Sequence, residues 1–233
     1  DYAKAEALCR EALAQDPSSV KAWCILGEIG LARRQLDVAQ DAYRNALKAK
    51  PDSAQALSGL APVMLEMGRL DEAESLCRRA VEADAKYAAG WSHLGITLMR
   101  KGDVKSAREC TEKAIECAPE DAALWVNLAF VARAQGDRQT ASEKLREASR
   151  LKPLDAQIRN NYGTILYELG DMAGAIAQLR EAVRIDPNHA MAIGNLGLAL
   201  LDRGQLAEAE SVLRDALDKD AANEAARSGY WRL

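Results

Sequence analysis

A position occupied by proline or alanine recurs along the chain every 34 residues. The series is Pro17, Pro51, Ala85, Pro119, Pro153, Pro187 and Ala221. A fixed period of this length is typical of stacked structural repeats rather than of one globular core. Because such an array grows by adding units, the length of 233 residues gives no count of globular domains.

The sequence can be divided into units that each begin three residues after the recurring position. Six units are complete, at 20–53, 54–87, 88–121, 122–155, 156–189 and 190–223, and partial units lie at 1–19 and 224–233. Residues are described below by their place in a unit. Residues 1–19 resemble a second helix without its first, and Trp231 stands at the eighth place, where the other units have glycine or alanine. We therefore expect a longer array before this fragment, and a cap or a further domain after it.

Small residues recur at fixed places within the units. The twentieth and twenty-seventh places are always alanine, and larger apolar residues fill the seventh and most of the twenty-fourth places. The eighth-place residues are Gly27, Ala61, Gly95, Ala129, Gly163 and Gly197. This spacing predicts two helices in each unit, packed closely where the small residues meet larger ones.

Glycines mark the turn between the two helices of a unit. They are Gly68, Gly102, Gly136, Gly170 and Gly204. Glycine readily takes the left-handed conformation that ends a helix. Arg34 replaces it in the first complete unit, so that turn is expected to be strained or differently shaped. Pro62 falls inside a first helix, where it removes the bond to the Ser58 carbonyl and predicts a kink at 58–62.

The pattern resembles the tetratricopeptide repeat over essentially the whole chain. Trp23-x-x-Leu26-Gly27, Trp91-x-x-Leu94-Gly95 and Trp125-x-x-Leu128-Ala129 carry the resemblance, whereas Leu57, Arg159 and Ile193 replace the tryptophan. The resemblance implies an all-α superhelical solenoid of antiparallel helix pairs, in which the first helices line a concave groove. It does not by itself identify an activity, because one fold carries many functions.

The sixth places of the first helices are the strongest candidate site. From the third complete unit onward they are His93, Asn127, Asn161 and Asn195. An amide offers both a donor and an acceptor, so a row of amides can hold the backbone of an extended peptide. The row is similar to the asparagine ladder in the repeat region of O-GlcNAc transferases. In the alternative interpretation, these asparagines cap or bridge neighbouring helices, or are simply solvated.

Further candidates lie on the same faces of the first helices. Asn160 adds a second amide beside the row, and Phe130 and Tyr167 are candidate apolar anchors. The remaining groove candidates are Arg100, Arg133, Thr164, Glu168 and Asp202. Replacing Asn127, Asn161 and Asn195 together with alanine is expected to abolish peptide binding and to leave the melting temperature nearly unchanged.

Composition and motifs argue against several other functions. Charged residues make up 28% of the chain with a net charge of -4, and the basic ones alternate with acidic ones, which disfavours nucleic-acid binding. No nucleotide loop, catalytic constellation, metal-ligand spacing or membrane-length apolar run occurs, so we expect no catalysis, cofactor, metal or membrane insertion. The five cysteines are expected to be reduced structural thiols. His189, after a proline turn, is expected to be solvated.

The sequence therefore predicts a scaffold that binds an extended protein segment in its groove. The fifth and ninth places lack the lysine and asparagine of the carboxylate clamp found in chaperone adaptors of this repeat class, so capture of a C-terminal carboxylate is not expected. One alternative is the substrate-recruiting region of an enzyme similar to O-GlcNAc transferase, with a catalytic domain after Leu233. Another is self-assembly through the ends of the array.

Overall fold

The structure, a computed structural model, describes residues 2–233, and this part of the chain contains fourteen α-helices and no strand. Helices α1 to α7 are Tyr2–Gln15, Val20–Ala32, Leu36–Ala49, Ala54–Glu66, Leu70–Ala83, Ala88–Lys101 and Val104–Cys117. Helices α8 to α14 are Ala122–Ala134, Arg138–Leu151, Ala156–Glu168, Met172–Ile185, Ala190–Asp202, Leu206–Lys219 and Glu224–Tyr230. The prediction of an all-helical chain is confirmed.

The helices form two compact units, one up to Pro119 and the other from Glu120 to Leu233. In the first unit, α2–α3, α4–α5 and α6–α7 are packed pairs, and in the second unit α8–α9, α10–α11 and α12–α13 are. The second helix of a pair also packs on the first helix of the next, as α5 does on α6 and α11 on α12. The predicted boundaries of the repeats, and their number, stay predictions.

Small residues bring the paired helices together as predicted. A Cβ atom added to Gly163 would lie 2.6 Å from Leu179 Cγ, and one added to Gly197 would lie 2.4 Å from Leu213 Cδ2. The alanines at the twentieth and twenty-seventh places of all six units are fully buried. Larger residues at these places would therefore push the helices apart.

The turns between paired helices use the left-handed conformation. Each of the five predicted turn glycines has a positive φ, and Arg34 has a φ of 57°. The Arg34 turn also keeps the backbone bonds of the others, because Gln35 N donates to Gly30 O as Asp103 N donates to Leu98 O. The turn is thus strained by a side chain in the left-handed region, and its shape is unchanged.

Side chains fix where several helices begin. The carboxylates of Asp103, Asp137 and Asp171 accept backbone N–H groups at the starts of α7, α9 and α11. Trp91 Nε1 donates to Ala85 O at 2.9 Å and holds the preceding turn against α6. Arg159, which replaces the tryptophan, donates to the equivalent Pro153 O at 3.3 Å. An arginine therefore does part of the tryptophan's work here.

Candidate functional site

The candidate residues are spread over four first helices. His93 and Arg100 lie on α6 in the first unit, and the other ten lie in the second unit. Those ten are Asn127, Phe130 and Arg133 on α8, Asn160, Asn161, Thr164, Tyr167 and Glu168 on α10, and Asn195 and Asp202 on α12. The second unit therefore holds the larger part of the predicted site.

A hydrogen bond links the fifth place of one unit to the sixth place of the next in both halves of the molecule. In the first unit, His93 Nδ1 lies 2.8 Å from Ser58 Oγ and 2.9 Å from Ser58 O. In the second unit, Asn195 Nδ2 donates to Asn160 Oδ1 at 2.9 Å. Each pair is 35 residues apart in sequence. Side chains at the sixth place can thus reach back to the preceding first helix.

A second set of bonds links the twelfth place to the thirteenth. Arg100 donates to the Leu65 carbonyl at 3.2 Å and also pairs with Glu66. In the second unit, Arg133 pairs with Glu168, which also accepts from Arg138. The Tyr167 hydroxyl donates to Asp202, and Arg232 pairs with the other oxygen of that carboxylate. The hydrogen bond between Tyr167 and Asp202 raises the pKa of Tyr167 and lowers the pKa of Asp202.

His93 supplies a bond that Pro62 removes. Pro62 has no N–H for the carbonyl of Ser58, four residues earlier, and α4 nevertheless runs from Ala54 to Glu66 without a break. Since a carbonyl can only accept, His93 carries a proton on Nδ1 and donates it to Ser58 O. Burial lowers the pKa of His93, while this hydrogen bond acts in the opposite direction. His93 therefore helps to hold α4 and α6 together; the kink at 58–62 stays a prediction.

The predicted asparagines differ in their surroundings. Asn160 is buried, and its Oδ1 accepts from Asn195. Asn195 Nδ2 also donates to Thr164 Oγ1 at 3.3 Å, so Asn195 bridges α10 and α12. Asn161 accepts from Gln157 Nε2 within its own helix at 2.9 Å. The bridging interpretation thus describes Asn160 and Asn195, while ligand binding by any of the asparagines stays a prediction.

The expectation for His189 was wrong. Its Nδ1 accepts the backbone N–H of Ala192 at 3.2 Å, so the imidazole caps the start of α12. Its Nε2 lies 3.1 Å from Gln157 Oε1 on α10. A histidine after a Pro-Asn turn and one residue before a helix is at the N-cap position, which the proline spacing could have indicated.

A pocket of about 180 Å³ opens between α10 and α12. Its lining is Thr164, Tyr167 and Glu168 from α10, Leu179 from α11, and Asn195 and Leu198 from α12. Four of these six residues were candidates from the sequence. Leu179 was missed because its place was assigned to helix packing, and Leu198 because its place was considered only for a carboxylate clamp. Asn161 does not line the pocket, but it is one helical turn from Thr164 and so lies on the same face of α10.

We call the surface formed by Asn161, the pocket residues and Asp202 the α10–α12 face. Phe130 on α8 is 43% exposed and is not part of the pocket.

Within residues 2–233, no group of three or more His, Cys, Asp or Glu side chains could hold a metal ion. Burial raises the pKa of Cys24 to about 11 and of Cys77 to about 12, so both side chains favour the thiol. Of the helices in this part of the chain, none combines the length and apolar character needed to cross a membrane.

Comparison with known proteins identifies a family and a fold. Residues 2–229 match the family described as the cilia and flagella-associated protein 70 C-terminal domain. Among curated proteins, none matches the chain. A chain of the APC/C hetero-tetramer Cut9-Hcn1 is 21% identical and has a TM-score of 0.84; the match covers 100% of this chain and 46% of that one. The chain thus spans less than half the length of that relative.

Two further solved structures have a similar fold. Pseudomonas aeruginosa pilF is 18% identical with a TM-score of 0.79, over 94% of this chain and 100% of that one. YrrB, described as a TPR protein with an unusual peptide-binding site, is 23% identical with a TM-score of 0.64, over 82% of this chain and 98% of its own. The predicted fold class, a tetratricopeptide-repeat solenoid, is therefore confirmed.

Proposed function

The chain belongs to the family of the cilia and flagella-associated protein 70 C-terminal domain, and we propose that it is a protein-interaction scaffold whose α10–α12 face binds an extended segment of another protein. The observation that carries this proposal is the pocket lined by Asn195 and by Thr164, which is one helical turn from Asn161. Leu179, Leu198 and the ring of Tyr167 offer apolar contacts, and the Asn195 amide and the Thr164 hydroxyl lie beside them. Pockets that combine apolar walls with a few polar groups are typical of binding sites.

The size of the pocket favours a protein segment over a small molecule. Pockets for small molecules usually start at roughly 300 Å³, well above the 180 Å³ of this one. One apolar side chain of a longer ligand can occupy it while the rest of the ligand lies along the helices. Because the helices are already formed and packed, the scaffold loses little conformational freedom on binding.

The charges of the face support a ligand that is held by its backbone and apolar side chains. Glu168 is paired with Arg133 and Arg138, and Asp202 with Arg232. These pairs compensate one another, so a charged ligand group would have to compete with an existing partner. We therefore expect the affinity to depend weakly on salt concentration. The likeness to YrrB, a peptide-binding repeat protein, is consistent with this mode.

A peptide array tests the proposal. Immobilised peptides of varied sequence are probed with the labelled chain and with Leu198→Lys, which places an ammonium group in the pocket. Met191→Lys is the matched control, because Met191 is an exposed apolar residue of the same helix that does not line the pocket. Peptides bound by the wild type and by Met191→Lys should be lost with Leu198→Lys, while circular dichroism shows all three chains folded. No bound peptide, or equal binding by both variants, would contradict the proposal.

The two alternatives from the sequence stay predictions. No contact described above favours a substrate-recruiting role for an enzyme or self-assembly through the array ends. The groove residues outside the α10–α12 face, among them His93, Arg100, Asn127 and Phe130, stay candidates for contacts with a longer ligand.

A further inference from the structure

Backbone groups fix the orientation of the Asn195 amide. Thr164 Oγ1 donates its single proton to the backbone carbonyl of Asn160 at 2.9 Å. The hydroxyl oxygen can then only accept from Asn195, so the atom facing it is Nδ2 and not Oδ1. The same Nδ2 donates to Asn160 Oδ1. Both donor positions of the Asn195 amide are thus used inside the protein.

A chain of three hydrogen bonds fixes Asn161 in the opposite sense. The backbone N–H of Ala192 can only donate, so His189 Nδ1 accepts and the neutral imidazole carries its proton on Nε2. His189 Nε2 therefore donates to Gln157 Oε1. The amide nitrogen of Gln157 is then the end that faces Asn161, and it donates to Asn161 Oδ1. The acceptor end of Asn161 is used, and its donor end is not.

The two amides therefore present opposite groups. Within residues 2–233, Asn195 Oδ1 accepts no hydrogen bond and Asn161 Nδ2 donates none. Asn161 has no side-chain partner of the Asn160–Asn195 kind on α8, because the fifth place of the preceding unit is Val126, an apolar residue. Asn161 on α10 and Asn195 on α12 are both partly exposed.

From this arrangement we infer that Asn161 and Asn195 divide the recognition of a polypeptide backbone, with Asn161 Nδ2 donating to a ligand carbonyl and Asn195 Oδ1 accepting a ligand N–H. The inference rests on the proposed function and specifies its ligand. The ligand is an extended, uncharged segment that places one aliphatic side chain in the pocket. A phosphate or carboxylate group is disfavoured, because the arginines of this surface, Arg133, Arg138 and Arg232, are already paired with Glu168 and Asp202.

The first test removes the donor of Asn161. The probe is the capped peptide acetyl-Gly-Gly-Leu-Gly-Gly-amide, titrated into the isotope-labelled chain and followed by NMR. Asn161→Asp keeps an oxygen for Gln157 and replaces the donating nitrogen by a second acceptor. We expect it to weaken the probe by about tenfold. Gln139→Glu, an equivalent change at an exposed residue of α9, controls for the added charge and should leave the affinity unchanged.

The second test concerns the acceptor of Asn195. Methylating the probe nitrogens one at a time removes one N–H donor in each analogue. A single position should weaken binding to the wild type by about tenfold. In the double variant Asn160→Ala/Asn195→Ala, which removes both partners of the buried bond and is designed to stay folded, that position should no longer matter.

The outcomes separate the inference from the proposed function. If the probe does not bind, the tightest peptide from the array takes its place in both tests. If no peptide binds at all, the proposed function fails and the inference fails with it. If a peptide binds to the α10–α12 face and Asn161→Asp behaves like Gln139→Glu, or the methyl scan is flat, the inference alone is overturned.

Discussion

The Ser58–His93 and Asn160–Asn195 pairs occupy the same two places of the repeat and do different work. In the first unit, the side chain at the sixth place donates to a backbone carbonyl that Pro62 has left without its helical partner. In the second unit, α10 has no internal proline, and Asn195 bonds to the side chains of Asn160 and Thr164. The first pair repairs a helix, and the second orients an amide.

The difference teaches that a place in the repeat determines which residues meet but not what the contact achieves. Both pairs join successive first helices across 35 residues. The chemistry of the contact depends on the residue at the fifth place and on the helix that carries it. The following variants test the comparison, from the largest expected effect to the smallest.

Asn195→Ala should have the largest effect on stability. It leaves the buried Asn160 Oδ1 without its partner and removes the bond to Thr164, which we expect to lower the free energy of unfolding by about 3 kcal/mol. The expectation from the sequence was that replacing Asn127, Asn161 and Asn195 together with alanine leaves the melting temperature nearly unchanged. A loss of this size from Asn195→Ala alone would contradict that expectation. Urea denaturation measures the effect, with Asn161→Ala as the control at less than about 0.5 kcal/mol. Equal losses from the two variants would contradict the assigned bonds.

His93→Ala should lower the free energy of unfolding by about 2 kcal/mol, because the Ser58 carbonyl again lacks a donor. The loss should shrink by about 1 kcal/mol in a Pro62→Ala background, where the new N–H at residue 62 can serve the same carbonyl. His93→Asn, which keeps a donor at the position of Nδ1, should retain most of the stability. Additive effects of His93→Ala and Pro62→Ala would show that the two residues are not coupled.

The stability contributed by His93 should depend on pH. Because its pKa is lowered in the folded chain, the unfolded chain takes up the proton first as pH falls below about 6.5. The free energy of unfolding should therefore decrease from pH 7 to pH 5. His93→Asn should reduce this decrease, as measured by urea denaturation at several pH values. An unchanged pH profile would mean that His93 does not prefer the neutral form.

The ion pairs of the thirteenth place should have the smallest effects. Glu66 and Arg100 are both about half exposed, at 54% and 48%, so Glu66→Gln should cost less than about 0.5 kcal/mol. Glu168 is only 20% exposed and pairs with two arginines, so Glu168→Gln should cost up to about 1 kcal/mol. Thermal unfolding of both variants at low and high salt checks the order. A larger loss from Glu66→Gln would reverse it.

Much of the fold could be predicted because packing leaves a strong periodic signal. Gly163 must be small because Leu179 lies against it, and the same constraint returns at Gly27, Gly95 and Gly197. The resemblance to the tetratricopeptide repeat was confirmed by the family match for the same reason. The sequence left open whether the turn at Arg34 would be strained or would take a different shape. The structure shows a strained turn with the same backbone hydrogen bonds as the glycine turns.

The candidate site was less predictable because polar side chains can satisfy one another. The sequence places Asn195 and Asn160 on first helices. It does not show that a sixth-place residue contacts the residue 35 positions earlier, on the preceding first helix, and the structure does. The same separation of 35 residues also joins Tyr167 to Asp202 and Arg133 to Glu168. The pocket was not predicted, because its lining comes from three helices whose relative placement the sequence does not give.

The spacing of the cross-helix bonds has a mechanical consequence within the second unit. Helices α10 and α12 are fastened at two levels, by Asn160–Asn195 and by Tyr167–Asp202, which lie seven residues or about 10 Å apart along α10. Helix α10 is fastened to α8 by Arg133–Glu168, and Val126 offers no hydrogen bond at the other level. Two hydrogen-bonded contacts at different levels oppose rotation of α10 relative to α12, whereas the single contact between α8 and α10 allows rotation about it. Bending of this unit should thus concentrate at the α8–α10 joint, and α10 and α12 should move as one stiff plate.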